Sequence, residues 1–367
     1  MNQETFINKK KRKFTSTGTE DRINGLPDSL LHYILSFLDM KEVVQTSFIS
    51  RKWRYFWKSV PVLNFDYSLW SDSSKLEKNV RPYVKKVYRK HECLDFVARV
   101  LLFHDRSTNI QKFRLSYNYC CDSGRLNTWL DFVLERHVKE VHLEMPNGGS
   151  YVLPDSLFTS GIEVFKLKSI RSGNCDGKLF LNYPILEELI LKNCDHQHLK
   201  LLTVTAPQLK NLVVNNYLRN ASCEINLCTP NLVTLKIHGS YKKYSLGNFS
   251  ALFSASIGEN SKKLRSEYLI EVLRGLHMVT TLELAGYYET LSESRHMLDE
   301  LLSPFSNLRC LKLIGQGRRS FIQALKSFMK SAPSIQTLVL EAFWVLLIKP
   351  ALIFIMKIKY TCLFISL

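Results

Sequence analysis

The residue types best suited to chemistry gather at Cys194-Asp195-His196-Gln197-His198, where a thiol and two imidazoles offer the donors of a soft-metal site. A closed tetrahedral site needs a second ligand pair, and none lies nearby, so no metal is expected. The nine cysteines, at 93, 120, 121, 175, 194, 223, 228, 310 and 362, are odd in number and contain no Cys-x-x-Cys spacing. That pattern indicates neither a zinc module nor a disulfide framework. Gly173 and Gly177 flank an Arg-Ser-Gly-Asn-Cys-Asp-Gly loop, but the Lys-Ser signature and following helix of a phosphate cradle are missing. No nucleophile elbow, ordered Ser-His-acid set or dinucleotide fingerprint occurs in its structural context. No catalytic residue and no cofactor are expected, which leaves recognition as the chemistry and directs attention to the elements that display it.

The 367 residues are 46% hydrophobic and 23% charged, ordinary globular usage for a chain long enough to hold two domains or one domain and a repeat array. The net charge of +17 is partly local, in the run Lys9-Lys10-Lys11-Arg12-Lys13. Residues 1–20 read as a disordered basic tail, whose run is an import signal, a nucleic-acid contact or simply a solvated tail. The other basic residues are scattered without the aromatic interleaving of a base-stacking groove, so no nucleic-acid partner is expected. With no apolar signal-peptide core and no disulfide pattern, the expected location is nucleus, cytoplasm or both.

Residues 21–65 read as a compact helical module. Leu30, Leu31, Ile34, Leu35 and Leu38 make a wide apolar stripe after Pro27, and Asp28 sits at the positive end of the helix dipole. Asp39 and Glu42 form a capping-box pattern for a second helix through Val43, Val44, Phe48 and Ile49. Trp53, Phe56, Trp57 and Val60 recur at helical spacing, which predicts a third helix. So small a unit buries little apolar surface, and a partner is implied.

These residues resemble an F-box. The matching blocks are Leu26-Pro27-Asp28, Ile34-Leu35-Ser36-Phe37-Leu38, Val43-Val44 with Thr46, and Ser50-Arg51-Lys52-Trp53-Arg54, and they agree in order across the whole module. The match departs at Phe48 and Ile49, where smaller aliphatic residues are more usual. The resemblance implies docking on the adaptor subunit of SCF-type cullin-RING ubiquitin ligases, and through it on cullin. Carried over residue by residue, the adaptor contacts would be Leu26, Pro27, Leu30, Leu31, Ile34, Leu35 and Val44.

After a connecting segment, residues 66–105, a three-residue apolar pattern recurs through 106–342. It stands at Ile110-Phe113-Leu115, Val138-Val141-Leu143, Ile162-Phe165-Leu167, Leu186-Leu189-Leu191, Leu209-Leu212-Val214, Leu232-Leu235-Ile237, Val279-Leu282-Leu284, Leu308-Leu311-Leu313 and Ile335-Leu338-Leu340. Successive units begin 23 to 29 residues apart except for one gap of 47, from Leu232 to Val279, which Leu252-Ala255-Ile257 would fill. This is the signature of an irregular leucine-rich repeat solenoid: a curved array with one short parallel strand per repeat, joined by irregular convex segments. Asn193 and Cys194 read as the polar turn that ends one strand. The overall class is therefore α+β with repeats, a three-helix F-box followed by the array.

Residues between the pattern positions alternate to the concave side. The candidate target-binding row is Lys112, Arg114, Glu140, His142, Lys166, Lys168, Glu188, Ile190, Lys192, Lys236 and His238, with Asn211, Val213 and Thr234 interspersed. Its mixed charge suits a protein partner better than a phosphate backbone.

Residues 343–367 form an atypical apolar tail. Lys349, Pro350, Lys357 and Lys359 interrupt any membrane-spanning window, so no membrane partner is expected. A degenerate cap, an amphipathic contact and a non-native end are the three readings, the last preferred. An F-box followed by such repeats resembles the plant F-box/LRR proteins, a set that often ends in an FBD domain. The resemblance implies a non-catalytic substrate-recognition subunit of an SCF ligase, whose concave face holds a target protein for ubiquitination. A basic nucleic-acid-associated scaffold and a truncated, non-functional member of the set are the alternatives.

Overall fold

The computed structural model describes residues 23–363 apart from 71–81, 147–152, 169–176, 195–198, 217–222, 259–265, 287–304, 316–324, 348–352 and a few isolated positions. The basic run at residues 9–13, the loop glycine Gly173 and the histidines His196 and His198 lie outside the described residues.

The module begins with α1 (Asp28–Leu35), entered through Pro27 at φ −58°, with Asp28 in its first turn. Leu31 and Leu35 fall one turn apart and are buried. The second helix, α2 (Met40–Gln45), carries the expected box: the Asp39 carboxylate accepts from Lys41 N at 2.8 Å, and Asp39 N donates to Glu42 Oε2 at 3.1 Å. The predicted third helix does not form as an α-helix. Residues 51–55 are turns and Phe56–Ser59 is a single 3-10 stretch, with Phe56 N donating to Trp53 O and Lys58 N to Tyr55 O. Aromatic residues lose side-chain freedom in a helix, and here they gain more from packing: Trp53 is buried beside Phe56, whose ring stacks on His32 at 4.5 Å. The helical spacing had identified the buried face and not the hydrogen-bond step.

Next comes β1 (Val62–Asp66), with Leu63 and Phe65 inward. The segment expected as a connection holds a long helix, α3 (Pro82–Phe103), which buries Cys93, Leu94, Val97, Val100 and Leu101 at i, i+1, i+4, i+7 and i+8. The array then runs β2 (Lys112–Ser116), α4 (Ser123–Leu134), β3 (Glu140–Glu144) and β4 (Val164–Lys168). It continues as β5 (Lys178–Asn182), β6 (Glu188–Lys192), β7 (Leu201–Thr205), β8 (Asn211–Asn216), β9 (Glu224–Cys228), β10 (Thr234–Gly239), β11 (Lys243–Leu246) and β12 (Ser254–Gly258). Helix α5 (Ser266–Gly275) precedes β13 (Thr281–Ala285), β14 (Cys310–Gly315), β15 (Thr337–Leu347) and β16 (Ile353–Leu363).

Twelve of these strands form one sheet in the order β1-β2-β3-β4-β6-β8-β10-β12-β13-β14-β15-β16. All ten expected repeat units contribute a strand, including the degenerate unit, which supplies β12 between β10 and β13. The central pattern residues stand in register from Phe113 through Val141, Phe165, Leu189, Leu212, Leu235, Ala255, Leu282 and Leu311 to Leu338. Pattern residues from Ile110 to Leu313 are at most 7% exposed. Each of the larger ones contributes roughly 1.5–3 kcal/mol by leaving water, against roughly 1–2 kcal/mol per residue for ordering the backbone. A rung therefore holds only when stacked on the next.

The convex segments are less irregular than expected. A second parallel sheet, β11-β9-β7-β5, carries Leu181, Leu202, Val204, Ile225, Leu227 and Tyr244 into the same core. From β4 to β12 the chain alternates between the two sheets, so each of these turns has two strands where one was expected. In the tail, β16 folds back antiparallel on β15 from Leu338↔Cys362 to Leu347↔Ile353, covering an edge that would otherwise expose unpaired backbone groups.

Module and array share their backbone. β1 pairs in parallel with β2, Gln111 N donates to Pro61 O at 2.8 Å, and buried His104 Nε2 lies 2.9 Å from Val60 O. Asp39, only 4% exposed, also accepts Asp66 N at 2.7 Å, so one carboxylate caps α2 and ends β1. Asp39→Ala removes a cap and orphans that half-buried N–H, with an expected loss of about 2 kcal/mol or more in urea unfolding followed by tryptophan fluorescence. A loss under about 0.5 kcal/mol, the range of ordinary surface substitutions, would show that Asp39 is not the clamp.

Candidate functional site

Two surfaces carry the sequence-derived candidates. On the module, helical geometry splits the wide stripe of α1 into two. Leu31 and Leu35, at 1% and 2% exposed, belong to the core, whereas Leu30 and Ile34 remain 49% and 47% exposed. Of the other candidates, Pro27 is exposed, and Leu26 and Val44 are half-buried against the core. Leu31 and Leu35 therefore cannot meet a partner without opening the module.

The exposed stripe contains residues that the sequence reading had not named as contacts. Tyr33 lies beside Leu30 and Ile34 on α1, and Phe37 follows just past its end, the two rings edge to face at 5.0 Å. Phe48 is 89% exposed and Ile49 60%, the two positions at which the sequence departs from its nearest resemblance. Large apolar side chains held in water on so small a unit mark an interaction face. The signal was present as Leu30, Ile34 and Phe37 at i, i+4 and i+7.

The second surface is the outer face of the twelve-stranded sheet. Alternation places Lys112, Arg114, Glu140, His142, Lys166, Lys168, Glu188, Ile190, Lys192, Lys236 and His238 outward as expected, since their strand neighbours are the buried pattern residues. Register then decides which of them meet. Arg114, His142, Lys166 and Ile190 are successive partners across β2, β3, β4 and β6, and Lys168 stands directly opposite Lys192. Ion pairs join Lys112 to Glu140 at 3.0 Å, Lys166 to Glu188 at 2.6 Å, and Lys168 to Glu144. Arg114 donates to Asn64 Oδ1 at 3.1 Å and lies 3.6 Å from Asp66. Lys192 and Lys236 make no ion pair among the described residues.

His142 lies in the floor of this region, its side chain 17% exposed. Burial, together with Lys112, Lys166 and Arg114 around it, lowers its imidazole to about 4. The ring is neutral at physiological pH.

His238 belongs to a different constellation, farther along the sheet. Its Nε2 lies 2.7 Å from Ser256 Oγ, that hydroxyl donates to Glu283 Oε1 at 2.8 Å, and Glu283 pairs with Lys312 at 3.1 Å. Burial raises Glu283, but the bonds from Ser256 and Lys312 outweigh it and leave the carboxylate below its ordinary value. Gly258 makes room for the His238 ring, because a Cβ there would meet it at 3.0 Å. Although the residue types are those of a hydrolase, the serine proton is committed to the carboxylate and the acid does not orient the histidine. The arrangement is a closed polar network. Ser256, Glu283 and Lys312 were missed only because the alternation rule was not carried past His238.

Cys194, the described member of the thiol and imidazole run, is buried 4.0 Å from Leu167 O and continues the core. Asn193 before it takes the left-handed φ of 50° and donates to Asn215 O at 2.6 Å, making the expected turn. Burial pushes the Cys93 and Cys223 thiols up to about 12, far from a thiolate. Among the described residues, no group of His, Cys, Asp or Glu is placed to hold a metal, and no helix is long and apolar enough to cross a membrane.

Comparison with known proteins bears on the module and on the chain as a whole. Residues 23–65 match the F-box domain family. Across 89% of its length the chain is 28% identical to an F-box/LRR-repeat protein of Arabidopsis thaliana, covering 74% of that protein. A second F-box/LRR-repeat protein of the same plant is 26% identical over 90% of this chain and 95% of its own length. A third is 27% identical over 89% and 92%.

The His142 environment has a direct readout. In a histidine NMR titration its ring resonances should stay at their neutral positions from pH 8 down to about 5, with a midpoint at about 4. Lys166→Met removes a cation that opposes the imidazolium, so the midpoint should rise. A midpoint near the ordinary value in the unaltered chain would show that the ring is not enclosed as described.

Proposed function

We propose that this chain, an F-box protein of the leucine-rich-repeat kind, is the substrate-recognition subunit of an SCF-type ubiquitin ligase. The observation that carries this reading is the exposed apolar stripe of Leu30, Tyr33, Ile34 and Phe37, lying within the residues that match the F-box. The stripe supports docking on the ligase adaptor, with Pro27 and the half-buried Leu26 and Val44 at its margin, while Leu31 and Leu35 shape α1 from beneath.

In this reading the outer face of the large sheet holds the target, and the chain performs no transfer chemistry itself. Its task is to raise the effective concentration of the target near the transfer machinery. A tether serves that purpose best when stiff, and the hydrogen bonding of β1 to β2 makes module and sheet continuous. Phe48 and Ile49 are further exposed apolar side chains of the module that an adaptor could cover.

The test is capture of the full chain by purified SCF adaptor. Leu30→Asp with Ile34→Asp should weaken capture by about a hundredfold or more, since each leucine-sized group contributes roughly 1.5 kcal/mol or more when buried. Both side chains are about half exposed in the free chain, so the melting temperature should hold. Leu31→Asp should instead unfold the module. Undiminished capture of the double variant would refute the contact assignment, and no capture of the unaltered chain would refute the receptor reading.

A further inference from the structure

We propose that the part of the outer face built by β2, β3, β4 and β6 receives an extended acidic segment of the target protein, an inference that rests on the receptor reading above. Arg114, His142, Glu144, Lys166, Lys168, Ile190 and Lys192 line one cavity of about 170 Å³ there. Four of these side chains are cationic and one is a carboxylate.

The backbone forces like charges together. Lys168 and Lys192 are direct partners across β4 and β6, a placement that brings Cβ atoms to about 5 Å and is unfavourable for two ammonium groups. Glu144 offsets Lys168, whereas Lys192 makes no ion pair among the described residues. In the neighbouring row, Arg114 and Lys166 flank His142 on both sides. His142 Nε2 is buried without a hydrogen-bond partner in the cavity floor. A carboxylate seated between Lys168 and Lys192 relieves their repulsion.

Toward the other end of the sheet, Glu283 lies between Ser256 and Lys312, and Lys312 lies between Glu283 and Glu341, so each charge already has its partner.

Peptide fits this site better than nucleic acid. No aromatic phenyl, phenol or indole ring lines the cavity for base stacking. Ile190 adds an apolar contact for a side chain of the segment. Four strands at about 4.8 Å spacing span about 14 Å, which matches about four extended residues.

The test is fluorescence anisotropy on the full chain with a fluorescein-labelled peptide of alternating Glu and Leu, about eight residues long. Its comparators are the Lys and Leu counterpart and a single-stranded oligothymidylate of equal charge. The acidic peptide should bind at least about tenfold more tightly than either comparator. Lys168→Glu with Lys192→Glu should weaken it by about tenfold or more, while Lys242→Glu, off this face, should change it by less than about twofold. Tighter binding of the oligothymidylate, equal binding of the basic peptide, equal loss in Lys242→Glu, or no binding of the acidic peptide would each overturn the proposal. Adaptor capture measured on the same samples separates the two readings: peptide binding without capture upholds the acidic site and defeats the receptor role. Capture without peptide binding does the reverse.

Discussion

One strand governs the arrangement of the whole chain. β1 closes the N-terminal module and is also the first rung of the sheet, so the backbone hydrogen bonds from Val62↔Lys112 to Asp66↔Ser116 fix the module relative to the array. A parallel strand pair tolerates little rotation, because its bonds are evenly spaced along the strand and register is tied to which face is buried. The module adds its own fastening through Asp39, which holds the start of α2 and the end of β1 with one carboxylate. The buried Val60 and His104 contact completes the seam from the other side. Without these bonds the module would be a small helical unit on a flexible connection, with no defined direction between its apolar stripe and the outer face of the sheet.

The inner half of the structure was legible because it repeats. A three-residue pattern at nearly constant spacing reports both the strand and its buried side, and this was enough to place Leu252-Ala255-Ile257 as β12 despite its weak composition. Elements outside that repeat were harder to see. The strands of the second sheet are short, and Lys178–Asn182 or Glu224–Cys228 alternate too briefly to stand out from a loop. The long helix α3 hides behind a polar first half, although Cys93, Leu94, Val97, Val100 and Leu101 carry a full helical period. The third helix of the module was misjudged for a different reason: a spacing of three and four residues is compatible with turns and a 3-10 stretch as well as with an α-helix.

The candidate surfaces were legible by direction and not by neighbour. Alternation along a strand tells which side chains leave the core, and it placed the outer-face residues correctly. It does not tell which strands are adjacent, since β5 lies in the other sheet and brings β4 and β6 together. Only then do Lys168 and Lys192 become partners and His142 acquire cations on both sides. On α1 the difficulty was angular. Five apolar residues read as one stripe, yet positions 30 and 34 lie about 100° around the axis from 31 and 35, which divides them between solvent and core.

Burial and the outer-face charges are consequently carried by different residues of the same strands. The ion pairs on the outer face are partly exposed, and such pairs contribute roughly 0–1 kcal/mol each, whereas the ladder from Phe113 to Leu338 supplies the apolar burial that holds the sheet. The outer side chains can therefore sit in electrostatically unfavourable company without unfolding anything. Strand spacing is set by backbone hydrogen bonds and by the stacked leucines beneath, so the bases of Lys168 and Lys192 cannot move apart to relieve their repulsion. A rigid core of this kind turns an unfavourable placement of charge into a preorganised place for the opposite charge, and binding there requires little rearrangement of the backbone.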